Sequence, residues 1–212
     1  LQQQTPAPSS APSTGTSEGA GTSTPPPTKG EANASGCNAP AGDMTDVPDD
    51  LTWAASQGVA WPTSPSLGPT KTTNDGFPVC FSQSPVGAAL AAVNSLYAAV
   101  DHDALEAFDF YTVDSPGKTA ALAQEGEIKP LAEQLASYGM SLKGFQIAEF
   151  EPERATVRLV FSVPNSSTGY RTIPRTLVWV NGDWRVKVQD DGSAGDSTDA
   201  NAGQFIEWSP GV

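Results

Sequence analysis

The chain has 212 residues, 38% of them hydrophobic and 17% charged. Lys and Arg number 11 against 24 Asp and Glu, a net charge of −13, which excludes whole-surface attraction to nucleic acid or anionic lipid. The length allows one domain with a real hydrophobic core, and no stretch is apolar enough to cross a bilayer as a helix.

Residues 1–36 contain no Val, Ile, Met, Phe, Trp or Tyr. A Pro/Thr/Ser-rich segment of this kind has too little apolar surface to offset the entropy of ordering. It is expected to be a disordered stalk, stiffened toward polyproline II at Pro25-Pro26-Pro27. The chain opens at Leu1 inside this low-complexity sequence with no signal-peptide pattern. A membrane anchor or signal is therefore expected to have preceded it.

Residues 37–83 are irregular and rich in Pro and Gly, with Trp53, Trp61, Leu67, Phe77 and Phe81 as anchors. Two tryptophans without periodicity suggest a strap packed onto a domain; exposed on a loop, they would instead suit a partner. The two cysteines, Cys37 and Cys80, fit no zinc spacing. They are two unrelated thiols or a disulfide, and the secreted-looking composition favours the bond. It would close a loop of more than forty residues, worth about 4 kcal/mol in the chain-entropy model. Cys37 does not suit lipid attachment, because no apolar segment precedes it.

The folded domain is expected over residues 84–212. Ser84-Pro85 is an N-cap followed by a first-turn proline, and Val86, Leu90, Val93 and Val100 then recur at helical spacing. A second helix follows Asp101 or Asp103, a third opens at Ser115-Pro116, and a fourth runs from Pro130 to a stop at Gly139. From Met140 the period becomes two. Phe145 and Ile147 mark one strand, residues 155–163 a second, residues 170–180 a third with Pro174 as an edge or bulge signal, and residues 184–188 a fourth. Asn181-Gly182 is a hairpin turn. Residues 189–203 look like an acidic, Gly-rich loop, and Phe205, Ile206 and Trp208 a last anchor.

Helices followed by a meander of antiparallel strands predict an α+β fold. The expected form is helices packed on a curved four-stranded antiparallel sheet. It resembles the cystatin-like and NTF2-like architecture, found also in VirB8-type secretion proteins. Such a likeness carries no function by itself.

Candidate chemistry is sparse. His102, the only histidine, lies between Asp101 and Asp103, but consecutive side chains diverge and Asp is expected as a cap there. No Gly-x-Ser-x-Gly elbow, P-loop, dinucleotide fingerprint or paired-histidine metal motif is present. No catalytic, cofactor-binding or metal-binding residue is assigned. Tyr97, Phe108, Tyr111 and Trp179 either fill the core or line a pocket, where Asp109 or Asp114 would be the buried general base, with nothing in the sequence to choose between them. Residues 143–187 hold seven basic residues against four acidic ones. Arg158, Arg185 and Lys187 fall in the polar phase of their strands. With Arg175 they form either a solvated face or, with Trp53 and Trp61, a partner surface.

Four strings occur in order: WAASQGVAWPTSPSLGP, GFPVCFSQSPVGAALAAVN, LVWVNGDWRV and FIEWSPG. Over residues 53–210 the chain resembles a family of actinobacterial membrane-anchored proteins of unknown function, many from conjugative or mobile-element gene sets. The resemblance departs at the cysteine pair and brings no catalytic residues. It implies a non-enzymatic extracytoplasmic adaptor of a conjugation-like type IV secretion apparatus. Its partners would be envelope proteins, with no nucleic acid and no cofactor; membrane contact would come through an anchor, and an oligomer is left open. A pocketed small-ligand binder or enzyme, or a secreted cell-surface binding module, are the alternatives.

Overall fold

The computed structural model describes residue 37 and residues 40–124 and 130–208; the expected stalk over 1–36 lies outside them. The chain runs β1 (Thr52–Ser56), β2 (Val59–Thr63), β3 (Lys71–Thr72), β4 (Pro78–Val79), α1 (Pro85–Asp101), α2 (Ala104–Tyr111), α3 (Pro116–Leu122), α4 (Leu131–Tyr138), β5 (Ser141–Glu151), β6 (Arg154–Ser162), β7 (Tyr170–Val180), β8 (Asp183–Lys187), β9 (Thr198–Ala200) and β10 (Ile206–Glu207).

The expected four-stranded, cystatin-like or NTF2-like sheet is overturned. Among the described residues the main sheet has six strands, in the order β10-β5-β6-β7-β8 with β9 also on β7, and two further two-stranded sheets pair β1 with β2 and β3 with β4. The added strands are two to five residues long. A strand of two residues has no period to read, and its pairing is decided by what the rest of the fold brings beside it. The helices also divide unequally. α1 lies broadly on the sheet, whereas α2 and α4 pack chiefly on α1.

The sequence explains the elements that position the site. Ser84 caps α1 by accepting a hydrogen bond from the Gly87 N–H at 3.1 Å. Asp103 caps α2 through the Leu105 and Glu106 N–H groups. Ser115 caps α3, and α4 ends at the left-handed Gly139. Each such cap satisfies N–H or C=O groups that the helix ends leave without an internal partner. At Gly87, α1 meets the strap so closely that a Cβ would lie 2.0 Å from the Ser82 carbonyl oxygen.

In the sheet, Phe145, Val157, Leu159 and Phe161 are fully buried beneath Val86, Leu90 and Val93 of α1. Burial of this sort stabilises by about 1.5–3 kcal/mol per large side chain. Asn181 and Gly182 both take positive φ, 53° and 83°, the two-residue turn that joins twisted antiparallel strands. β8 pairs β7 over residues 176–180 and β9 pairs it over 170–172. Pro174 falls between these pairings, where a strand edge tolerates a residue without an N–H.

Candidate functional site

Cys37 and Cys80 are joined in a disulfide, with Cα atoms 5.2 Å apart. Cys80 is 1% exposed and has φ of 72°. Beside it the buried Asp183 carboxylate accepts hydrogen bonds from the Cys80 N–H at 2.8 Å, the Phe81 N–H at 2.9 Å and its neighbour Trp184 N–H at 3.0 Å. Burial pushes this carboxyl above its ordinary range, while the three N–H groups and Arg185 pull it back. The Trp184 indole N–H donates to the Ser82 carbonyl at 2.9 Å. Disulfide, carboxylate and indole thus fix residues 80–82 on the turn between β7 and β8. Asp183 was readable from the sequence only as a surface charge beside a turn, and nothing local marks it as a clasp.

The six residues expected to meet a partner are dispersed. Arg158 reaches Thr198 Oγ1 at 3.3 Å from the outer face of β6, and Lys187 is exposed at the end of β8. Arg185 is buried, with its guanidinium carbon 5.1 Å from the centroid of the Phe110 ring, within range of a cation–π contact. Arg175 pairs with Val157 across β6 and β7 and shares the strand phase of Ile173 and Leu177, so it faces the helices. Arg175 was expected on the partner surface with Arg158 and Lys187; residues two apart on a strand share a face, and that periodicity sets it on the opposite one. Trp61 is buried with its ring 5.4 Å from Tyr97, whereas Trp53 is 44% exposed.

His102 stacks on Phe77 at 4.1 Å, and Phe77 stacks on Phe110 at 4.1 Å. Its acidic neighbours are engaged elsewhere: Asp101 accepts from the Ser56 hydroxyl, and Asp103 caps α2. Asp109 and Asp114 hold the ammonium of Lys118, at 2.9 and 3.1 Å. Lys118 itself is 5% exposed, and its two carboxylates satisfy the charge that burial would otherwise strand. Among the described residues no group of three or more His, Cys, Asp or Glu side chains is placed to hold a metal.

One cavity has the character of a binding site. It encloses about 280 Å³ between α1, α2, α4 and the sheet. Leu96, Phe108, Tyr111, Leu131 and Val186 supply apolar wall, and Arg175 supplies the charge. Two of the aromatics expected at a pocket, Phe108 and Tyr111, line it; Tyr97 packs on Trp61, and Trp179 lies edge-on to Trp184 at 5.1 Å.

No curated protein and no solved structure matches the chain. The model of one family, described as a domain of unknown function (DUF8175), matches residues 3–207. That match takes in the disulfide, the Asp183 clasp and the cavity together with nearly all of the 1–36 segment, and the chain therefore belongs to this family of domains of unknown function.

Proposed function

We propose that the chain is the extracytoplasmic, non-enzymatic module of an envelope-anchored protein, and that it serves as a structural or adaptor subunit of a conjugation-like type IV secretion apparatus. The Cys37–Cys80 disulfide carries this reading. Such bonds persist in oxidising compartments and are rare in the cytosol. This one fastens Cys37, which follows the 1–36 segment in sequence, to Cys80 just ahead of α1, as a neck between spacer and domain would require. The low-complexity composition of that segment supports a spacer. The resemblance of residues 53–210 to membrane-anchored actinobacterial proteins of conjugative gene sets supports the apparatus. Trp53 and the outer-face cations Arg158 and Lys187 are the side chains offered to an envelope partner.

The test is a transfer assay in a host that depends on this protein. Deleting residues 37–208 while keeping 1–36 and its anchorage is expected to abolish transfer, and His102→Ala to leave it unchanged. Transfer that survives the deletion, or that is lost on His102→Ala alone, would overturn the reading.

A further inference from the structure

Among the described residues that line the cavity, Arg175 alone is charged. Its Nε is buried and has no hydrogen-bond partner, and no described carboxylate pairs with it. The contrast with Lys118 is direct. That buried cation holds two carboxylates, and Arg185 has the Phe110 ring. Burial also draws the Arg175 guanidinium down to about 10, the direction desolvation of a cation requires. A guanidinium in this position is costly unless an anion arrives, and its planar fork of donors suits a carboxylate.

The remaining wall defines what the anion must carry. Leu96 on α1, Phe108 on α2, Leu131 on α4 and Val186 on β8 are apolar. The Ser95 hydroxyl is already given back to the Ala92 carbonyl at 2.9 Å. Leu105 also lines the cavity and is 46% exposed, so the space meets solvent at α2. A volume of about 280 Å³ lies at the small end of ligand pockets, too small for a nucleotide with its charged groups and right for one modest tail. The chain's net charge of −13 does not forbid an anion, because exposed charges farther than about 8 Å are largely screened at physiological salt.

We infer that this cavity binds a single-tailed aliphatic carboxylate, its head on Arg175 and its chain among Leu96, Phe108, Leu131 and Val186. The inference is independent of the adaptor role and stands or falls without a transfer assay.

The experiment titrates the full chain with decanoate and, separately, with decanol at neutral pH, followed by calorimetry and amide chemical shifts. Decanoate is expected to bind at least about ten-fold more tightly than decanol, the margin of a charge-assisted pair over a neutral one. Arg175→Leu is expected to erase that preference while decanol still binds. Leu96→Trp, which fills the cavity from α1 without touching the cation, is expected to lose both ligands. Should Arg175→Leu not fold, Arg175→Lys replaces it and is expected to keep the preference for the acid but weaken it. Equal affinity for the two ligands, a preference that survives Arg175→Leu, ligands still bound by Leu96→Trp, or no decanoate binding below about 1 mM would each overturn the assignment.

Discussion

Asp183 is where two parts of the chain over a hundred residues apart are held together. Its two oxygens take up the N–H groups of Cys80 and Phe81, both in buried residues. Asp183→Ala would leave both donors unsatisfied, and each buried orphan costs about 1–3 kcal/mol. The variant is expected to lose about 3 kcal/mol of unfolding free energy in a urea titration, with the cavity's ligand binding unaltered once folded. A loss under about 1 kcal/mol would mean that the strap finds other acceptors. Legibility at this scale divides by how local the signal is. The caps at Ser84 and Ser115 and the Asn181-Gly182 turn are properties of three or four adjacent residues, and they stand where the sequence puts them; of the two aspartates offered for α2, Asp103 is the cap. Arg175 was expected on the partner surface, because charge was read there ahead of the strand phase it shares with Ile173 and Leu177. The role of Asp183 depends on residues 80 and 81 arriving from afar, which no local pattern encodes.

Among the elements, α1 meets the strap at near-contact distance, and Gly87 is the residue that permits it. A methyl group there would meet the Ser82 carbonyl oxygen at 2.0 Å. The same oxygen accepts the Trp184 indole N–H at 2.9 Å, so moving it to relieve the clash also disturbs a buried tryptophan. Overpacking of this kind costs about 1–3 kcal/mol, and a weakened buried hydrogen bond adds to it. Gly87→Ala is therefore expected to destabilise by about 3 kcal/mol and to shift tryptophan fluorescence. Ser84→Ala removes one cap bond, costs about 1 kcal/mol, and leaves the fluorescence alone. If Gly87→Ala proves as mild as Ser84→Ala, the strap is not pinned at Ser82. The long elements were legible because ten or so residues repeat a period: β5, β6, β7 and α1 all announce themselves. β3, β4, β9 and β10 did not, because two or three residues form a strand only when a partner edge is supplied. Counting only the periodic strands is what led to an expected sheet of four.

Across the whole molecule, the strap is held by two devices that act on different states. The disulfide spans 43 residues and, in the chain-entropy model, acts on the unfolded chain by about 4 kcal/mol. The Asp183 carboxylate acts on the folded chain, through bonds that form only there. Cys37→Ser with Cys80→Ser is thus expected to lower the denaturation midpoint while leaving the native near-ultraviolet spectrum intact, because Asp183 and Trp184 still hold residues 80–82. Its m-value should rise, since an unfolded chain without the loop exposes more surface. Adding Asp183→Ala removes the second device. The combined loss of about 7 kcal/mol is comparable to the whole stability of an ordinary domain, about 5–15 kcal/mol. The triple variant should then be largely unfolded in plain buffer by circular dichroism, where each parent remains folded. A triple variant as well folded as its parents would show that the domain beneath the strap stands without it, and that the neck matters for position rather than for stability.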